Sequence, residues 1–479
     1  MAGASGFVGG ALRRSLRERH AVRALTRSET RASQPGDHPH EEWRQCDLFS
    51  LQQVTEALAG AEIAIYLVHS MLPSARLNQG SFEDLDLQLA ENFAEGAERN
   101  GLKHVIFLSG LLPEDDRRLS GHLRSRAEVE NTLCNYATPV TVLRTGIVVG
   151  PGGSSLLMLV NLVRRLPVML LPQWVRATTC YIAIRDVVRA FERVVAESPT
   201  EDRVYDIGYP ETVNYGQLIR RASEVLGRRR IYIPLPISSP NISKLWIRLF
   251  SGAPAALVGP LVDSLKHSLH LRPNPLQAAL EGSMQPFEEA LRESVDAHGR
   301  PLPNARSRTQ QTDNTMIREA RRVRSMQRVV APPEFSAEEC AQVYFKWLGR
   351  SLRWFLRVEE GSQGEVSIIV RGIRQSLLRL APMDFANTPR HCAYAIVGGL
   401  LANPHAQPVG RFEFRKVLEG NALLTAIHGY RPRLPWHFYN LTQAILHLLV
   451  MRAFGGYMRR MAARVKRGEA TTELAAALQ

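Results

Sequence analysis

The chain begins with a glycine-rich turn in which Gly3, Gly6 and Gly9 have the spacing Gly-x-x-Gly-x-x-Gly, followed at once by a helical pattern. In such a turn the first glycine allows a tight bend, the second lets the backbone approach a ligand, and the third lets the helix pack on a sheet. A diphosphate group would bind at the N-terminus of that helix. The motif predicts a nucleotide-binding fold only if strands and helices alternate after it. The expected site residues are Gly3, Ser5, Gly6, Phe7, Val8 and Gly9.

The pattern after the loop is that of alternating strands and helices. Strands are predicted at 21–26, 42–47, 63–68, 104–109 and 140–144, and helices at 7–20, 51–58, 82–100 and 123–136. This order is typical of parallel βαβ units, and it predicts a doubly wound α/β Rossmann sheet.

A strand is expected before the loop, but only Met1 and Ala2 precede Gly3. Because the central strand of such a sheet is unlikely to be dispensable, we expect the start to have been placed too late, at a valine codon read as Met1. An in-frame stop codon upstream, with no apolar run before Met1, would contradict this hypothesis.

The composition indicates a globular protein, since 479 residues suffice for two or three domains and apolar and charged residues make up 45% and 22%. The net charge of +14 is spread through predicted helices, without a nucleic-acid-binding motif. Solvated, positively charged helix faces are the simplest explanation of this net charge. An anionic cofactor, a membrane surface or an acidic partner are the alternatives.

The cysteine pattern and the N-terminus favour a cytoplasmic protein. The cysteines are odd in number and far apart, and they predict reduced thiols; they are Cys46, Cys134, Cys180, Cys340 and Cys392. The first residues lack the basic and apolar regions of a secretory signal. The apolar stretch 436–454 is interrupted by His437, His447 and Arg452, so we expect a buried or interfacial helix, with peripheral membrane contact as one possibility.

Four short segments stand at or near the ends of the predicted strands, at 46–48, 67–69, 109 and 143–146. Together with the glycine loop, their order resembles the atypical and extended, NmrA-like members of the short-chain dehydrogenase/reductase superfamily, over roughly residues 1–235. The resemblance implies an NAD(P)-binding Rossmann domain in which Asp47, followed by Leu48, contacts the adenine. It also implies that the backbone at Leu67, Val68 and His69 passes the cofactor ribose.

The same resemblance places Ser109 at the position of the family's catalytic serine or threonine. It places the segment 143–146, which includes Thr145, beside the nicotinamide. The family often has proline where Thr145 stands, so this last match is looser.

The choice of cofactor depends on the end of the second strand of the fold. An acidic residue there would bind the ribose hydroxyls, whereas arginine neutralises a 2′-phosphate. Arg27 occupies this position, and Arg13 lies nearby on the first helix. We therefore expect NADP rather than NAD; the alternative is that Arg27 is a solvated loop residue.

The catalytic pair of the family is Tyr-x-x-x-Lys, and this chain has neither residue at the aligned positions. His122 replaces the tyrosine and Arg126 the lysine, one helical turn apart on the same face. Histidine can transfer a proton near neutral pH, so oxidoreductase chemistry on an apolar carbonyl or alkene is one hypothesis. The other is a non-catalytic NADP(H)-binding protein that senses redox state or carries a ligand.

The rest of the first domain, to residue 290, resembles the family's late elements and small substrate lobe. The apolar segment 156–174 would line an apolar substrate or belong to the core. Asp186 is expected to cap a helix.

A proline- and arginine-rich stretch at 291–333 predicts a linker, followed by a second domain at 334–470. Ser336 and Glu339 form the signature of a helix-capping box. Strand patterns follow at 365–370, 392–397, 409–417 and 421–428, the last two as a hairpin, and then a helix at 436–467. This α+β region resembles START/polyketide-cyclase-like helix-grip domains, which enclose an apolar cavity.

Four aromatic residues of the last helix would, by this resemblance, contact a lipid or aromatic ligand, or else form ordinary core; they are Trp436, Phe438, Tyr439 and His447. His391, His428, His437 and His447 lack the spacing and carboxylate partner of a metal site, so no metal is predicted.

Overall fold

The computed structural model describes residues 1–70, 77–114, 119–236, 247, 250, 252, 255–303, 323–372, 375–403 and 409–467. The chain divides into two compact units. The first comprises Met1–Leu72 and Asn92–Thr312, and the second comprises Pro73–Glu91 and Asp313–Gln479.

The strands, in chain order, are β1 (Val22–Thr26), β2 (Glu41–Gln45), β3 (Ile63–Tyr66), β4 (Leu77–Gln79), β5 (His104–Gly110), β6 (Val140–Thr145), β7 (Ile147–Val149), β8 (Val168–Leu171), β9 (Thr178–Thr179), β10 (Tyr181–Ala183), β11 (Arg203–Ile207), β12 (Val213–Asn214), β13 (Ile231–Pro234), β14 (Val323–Val330), β15 (Leu356–Glu360), β16 (Val366–Val370), β17 (Ser376–Pro382), β18 (His391–Gly398), β19 (Arg411–Val417) and β20 (Ala422–Tyr430). The helices are α1 (Phe7–Leu16), α2 (Glu29–Ala32), α3 (Leu51–Leu58), α4 (Phe82–Arg99), α5 (Gly121–Cys134), α6 (Ser154–Arg165), α7 (Ile184–Val195), α8 (Tyr215–Val225), α9 (Ala255–Ser264), α10 (Pro275–Glu281), α11 (Phe287–Glu293), α12 (Ala337–Ser351), α13 (Trp436–Leu441) and α14 (Gln443–Lys466).

The first unit is built on a parallel sheet with helices packed against it, which is a Rossmann-like α/β fold. Strands β3, β5, β6 and β11 form one parallel run in the order β11-β6-β5-β3, and β1 pairs with β2. Ala2 lies between the two runs: its N–H donates to the carbonyl of Ile65 at 2.8 Å. On the other side, the N–H of Leu25 donates to the carbonyl of Met1 at 3.0 Å. Met1 and Ala2 thus occupy the place of a central strand.

His104, at the start of β5, couples the stability of this sheet to pH. Its buried ring lies 2.8 Å from Thr141 Oγ1 (Nε2 to Oγ1), and burial, with a smaller contribution from Arg203, lowers the pKa of His104 from 6.5 to about 4. Between these two pKa values His104 is protonated in the unfolded chain but not in the folded chain. We expect the free energy of unfolding to fall as the pH drops from about 6.5 to about 4. Urea denaturation at several pH values measures this slope, and a slope unchanged in His104→Gln would contradict the assignment.

The second part of the first unit carries its own apolar core, formed between α6, α8 and α11 and three short strand pairs. Six apolar residues of the segment 156–174 are buried in this core; they are Leu156, Val160, Leu162, Val163, Met169 and Leu171. Val168 and Leu170 of the same segment are exposed, so the segment is divided between the core and the surface.

Asp186 does not cap its helix, contrary to the sequence-based expectation. The N-cap of α7 is Ala183, and Asp186 lies buried within the first turn. Its carboxylate accepts a hydrogen bond from the backbone N–H of Gln285 at 2.8 Å and from Arg189 at 3.2 Å. The carboxylate therefore joins α7 to a distant segment of the chain, a contact that a local capping pattern does not reveal.

The boundary between the units differs from the predicted linker. Strand β14 lies inside the predicted linker 291–333 but is part of the sheet of the second unit. Residues 304–322 lie outside the described part of the chain. The segment Pro73–Glu91 also belongs to the second unit, since β4 pairs in parallel with β14. A three-residue strand has too short a pattern to reveal this pairing.

The second unit contains a sheet in the order β15-β16-β17-β18-β19-β20-β14-β4, antiparallel except for the β14–β4 pair. Helix α12 begins at the predicted capping box of Ser336 and Glu339. It packs on β18 and β19, and α14 packs on β14. The predicted strands correspond to β16, β18, β19 and β20, whereas β14, β15 and β17 were not predicted.

The C-terminal helix is broken where the sequence predicts one continuous helix. Thr442 has φ −122° and ψ −78°, which separates α13 from α14. Tyr439 is buried and packs 6.1 Å from the ring of Tyr430, whereas Phe438 is exposed. The side chains of Trp436 and His437 lie outside the described part. Within the described residues, no helix has the length and apolar character needed to cross a membrane.

Candidate functional site

The glycine loop has the geometry expected of an anion-binding turn. Gly3 has φ +79°, and a Cβ atom there would lie 2.9 Å from the carbonyl oxygen of Leu67. A Cβ atom on Gly9 would lie 2.2 Å from the carbonyl oxygen of Gly3, so the third glycine is required for the helix to approach the loop. Gly6 caps α1 without a side-chain hydrogen bond. The first amides of α1 are thus available to an anion.

Two neighbouring residues complete the surface of this turn. Ser5 is exposed and Val8 is half-buried. The Phe7 ring packs against the loop after β7, where a Cβ atom on Gly150 or Gly153 would lie 3.0 or 3.1 Å from it. The Phe7 side chain therefore closes one side of the turn.

At the end of β1, Arg27 is exposed directly after the strand, as the sequence predicted. Arg13 has a different environment from the one expected: it forms an ion pair with the buried carboxylate of Glu41 and lies 5.1 Å from the ring of Trp43. The guanidinium carbon of Arg31 lies 4.5 Å from the centroid of the same ring. Arg13 is thus engaged within the protein, whereas Arg27 is exposed at the end of the strand.

Asp47 and Leu48 follow β2 as expected. One carboxylate oxygen of the half-buried Asp47 accepts a hydrogen bond from the N–H of Phe49 at 3.2 Å. The buried Leu48 accepts a hydrogen bond on its carbonyl from Asn92 Nδ2 at 2.9 Å. These contacts hold the loop at the edge of the sheet.

The structure brings together three polar residues after β3 and on α5. His69 Nε2 lies 3.0 Å from His122 Nδ1, and an Arg126 nitrogen lies 3.2 Å from His69 Nδ1. Leu67 and Val68, which precede His69, are half-buried. The sequence placed His122 and Arg126 on one face of a helix but did not reveal that His69 joins them.

These distances determine the tautomers of both histidines in their neutral forms. The guanidinium of Arg126 can only donate, so His69 Nδ1 accepts and His69 Nε2 carries the hydrogen. His69 Nε2–H then donates to His122 Nδ1, which leaves the ring hydrogen of His122 on Nε2. A protonated His122 would require His69 to exchange its tautomer and give up the bond from Arg126. The arrangement thus favours a neutral His122.

Ser109 and Thr145 lie at the carboxyl ends of the adjacent strands β5 and β6, where Gly110 is opposite Thr145. They are only 4% and 5% exposed. Within the described residues their hydroxyl groups have no hydrogen-bond partner. Buried polar groups are normally paired, so this edge of the sheet suits a ligand with amide or hydroxyl groups, as a dinucleotide has.

A second polar cluster lies in the other unit. Glu413 accepts a hydrogen bond from Arg411 at 2.8 Å, and its other oxygen lies 3.5 Å from His391 Nε2 and 3.8 Å from His428 Nε2. The sequence did not reveal that these two histidines lie near a carboxylate. All of these residues except Arg411 are buried.

The cluster is polar but not arranged for a metal ion. Arg415, fully buried, donates to His391 Nδ1 at 2.8 Å. In the described part of the chain, no three His, Cys, Asp or Glu side chains are grouped as metal ligands. Burial alone would raise the pKa of Glu413, but His428, Arg411 and His391 hold that pKa well below its usual range. The cluster is therefore a network of buried charges.

Comparison with known proteins finds a family model and a curated protein that are similar to part of this chain. Residues 3–148 match a family model described as NAD(P)H-binding. Auxiliary protein GraX of Staphylococcus aureus is 30% identical over 110 residues, which are 23% of this chain and 35% of that protein. The chain thus spans about a third of the length of this curated relative. The N-terminal part of the chain is thus similar to NAD(P)H-binding proteins.

Several solved structures are similar at low sequence identity. A triphenylmethane reductase of Citrobacter sp. complexed with NADP(H) is 18% identical, with a TM-score of 0.48, over 61% of this chain and 99% of that one. A nucleoside-diphosphate-sugar epimerase of Staphylococcus aureus is 16% identical, with a TM-score of 0.47, over 61% and 98%. An NADPH-dependent quinone oxidoreductase of Escherichia coli is 20% identical, with a TM-score of 0.46, over 60% and 96%.

Proposed function

We propose that this protein binds NADP(H) in its first unit and reduces a small apolar carbonyl or alkene there. The observation that carries the proposal is the pairing of an anion-binding glycine turn with the chain Arg126–His69–His122 in the same unit. The match of residues 3–148 to the NAD(P)H-binding family supports the cofactor class.

The residues divide by the part of the cofactor that each would hold. The glycine turn would bind the diphosphate and Arg27 the 2′-phosphate. Asp47 and Leu48 would contact the adenine. The segment 67–69 would pass the ribose, and the buried hydroxyls of Ser109 and Thr145 would face the nicotinamide end. When bound, the cofactor would supply the hydride.

The role of His122 follows from its tautomer. With the hydrogen on Nε2, a neutral imidazole can donate a hydrogen bond to a substrate oxygen and polarise a carbonyl. After hydride transfer this proton would pass to the alkoxide oxygen, and water would return a proton to the imidazole. Arg126 fixes His69, and His69 fixes His122, so both act as positioning residues for that donor.

The alternative is a non-catalytic NADP(H)-binding sensor or ligand carrier. It is favoured by the absence of the Tyr-x-x-x-Lys pair and by an arrangement that disfavours a protonated His122. A sensor would bind the cofactor and change its conformation or its partner between NADPH and NADP⁺, without turnover.

The cofactor preference can be tested by fluorescence titration with NADPH and NADH. We expect tighter binding of NADPH, and we expect Arg27→Ala to weaken NADPH binding about tenfold or more, because a charge-assisted contact to phosphate is lost. NADH binding should be unchanged. Arg19→Ala, an exposed arginine at the other end of α1, is the control. Equal binding of both nucleotides by the unmodified protein would contradict the preference.

The catalytic proposal can be tested with His122→Ala. We expect turnover of NADPH with a panel of apolar quinones and aromatic aldehydes to fall by about 10²–10⁴-fold, while the Kd for NADPH stays the same. An unchanged rate would eliminate the role of His122. Intact NADPH binding with no turnover in the unmodified protein would favour the sensor.

For the second unit we propose a START/polyketide-cyclase-like helix-grip fold that holds an apolar ligand between the sheet and the helices. Its antiparallel strands and the helices α12 and α14 on the sheet support this. Aromatic rings in mutual contact lie in the core of this unit, including those of Tyr344, Phe412 and Phe454. Displacement of a fluorescent fatty acid by candidate ligands tests this directly, and no binding would favour an ordinary core.

A further inference from the structure

The C-terminal helices expose a group of large apolar side chains that the proposed function does not use. On α13 and the first turns of α14, five large apolar side chains are about half exposed or more. They are Phe438 (64%), Leu441 (73%), Ile445 (49%), Leu446 (57%) and Leu449 (54%). Side chains of this size are exposed together on few soluble surfaces, and such patches mark interaction sites.

The same face of α14 becomes basic toward its C-terminus. At 100° per residue, Arg452, Arg459 and Arg460 project on the side of Ile445 and Leu449. All three arginines are exposed. The opposite side of α14 is buried in the core through Met451, Phe454 and Met458. We call the exposed side, from Phe438 to Lys466, the apolar–basic face.

The charge of this region is one-sided. Residues 420–468 contain eight Lys and Arg and no Asp or Glu. A second copy of the chain would therefore bring like charges together at a two-fold contact. An anionic bilayer can bind both the apolar and the basic part of this face, since its interface accepts apolar side chains and its headgroups attract arginine.

We propose that the apolar–basic face binds the surface of a membrane rich in anionic lipid. Helix α14, about 36 Å long, would lie in the plane of the interface. Leu441 at the end of α13, with Ile445 and Leu449 in the first turns of α14, would be buried among the acyl chains. The later turns of α14 would contact lipid headgroups through arginine. This docking does not depend on cofactor binding in the first unit.

The test is co-sedimentation of the full chain with phosphatidylcholine vesicles, with and without phosphatidylserine. We expect binding to the anionic vesicles at least about 100-fold tighter than to the neutral ones, weakened by salt. The triple variant Arg452→Gln, Arg459→Gln, Arg460→Gln should lose about 100-fold in affinity for the anionic vesicles. The triple variant Leu441→Ser, Ile445→Ser, Leu449→Ser should lose at least about tenfold.

A matched control removes the same charge elsewhere, at the exposed residues Arg19, Arg228 and Arg229, each changed to glutamine. It should bind vesicles as the unmodified protein does, and an equal loss in this control would overturn the proposal. The proposal would also be overturned if the unmodified protein did not bind anionic vesicles. The same holds if the protein self-associated and the serine variant abolished that self-association. NADPH titration of every variant reports separately on the proposed function.

Discussion

Replacing Gly9 with alanine will abolish NADPH binding, with a loss of at least about 100-fold in affinity, and will destabilise the first unit by a few kcal/mol. The added Cβ atom would lie 2.2 Å from the carbonyl oxygen of Gly3, a distance no carbon–oxygen contact permits. The loop must therefore separate from α1, and the amides that would hold the diphosphate lose their arrangement. Isothermal titration with NADPH and urea denaturation measure the two effects.

Gly10→Ala is the control for this change. A Cβ atom at Gly10 would meet only the terminal nitrogen of Arg14, at 3.5 Å, which is an ordinary contact. Alanine also favours the helix over glycine by about 1 kcal/mol. Gly10→Ala should bind NADPH normally and be as stable or more so. If Gly9→Ala bound NADPH as well as Gly10→Ala does, the glycine turn could not be the cofactor site.

Replacing Glu413 with glutamine will destabilise the second unit by about 3–5 kcal/mol, because Arg411 and the neighbouring polar groups lose the buried carboxylate that they contact. Arg411 donates to its carboxylate at 2.8 Å, and the rings of His391 and His428 lie within 4 Å of it. Hydrogen exchange of β18, β19 and β20, followed by mass spectrometry, localises the effect to this sheet.

The pH dependence of this interaction has a defined sign. The pKa of Glu413 in the folded protein lies well below its usual range. Its stabilising contribution is therefore present above the pKa of the unfolded chain, near 4.3, and is lost as the pH falls through the folded pKa. Glu413→Gln should remove this acid sensitivity. Glu419→Gln, an exposed carboxylate in the same hairpin, is the control, and equal effects of the two variants would contradict the assignment.

Several local features of the fold and the candidate site could be predicted from the sequence. The spacing of Gly3, Gly6 and Gly9 reflects local sterics, so the turn and its helix were predictable. Strands β3, β5 and β6 of the parallel sheet were also predictable, because buried strands are continuous apolar runs. Strand β11 of the same sheet was not predicted. His122 and Arg126 are one helical turn apart, and the sequence alone places them on the same face.

Other features depend on segments that are far apart in the chain. His69 and His122 are 53 positions apart. Their rings come within hydrogen-bond distance because α5 packs on β5 and β6, and β5 pairs with β3. Glu413 meets His391 and His428 because three strands pair in a particular register. Arg13 was predicted to serve the cofactor, but it is engaged by Glu41, a residue of another element.

The amino-acid sequence by itself determined the glycine turn, the alternation of strands and helices, the capping box at Ser336 and the one-sided charge of 420–468, since each depends on residues close together in the chain. The tertiary structure decided which distant side chains meet, where the last helix breaks, and which of its faces is left exposed. These outcomes depend on register and on the packing of distant elements, for which neighbouring residues carry no signal.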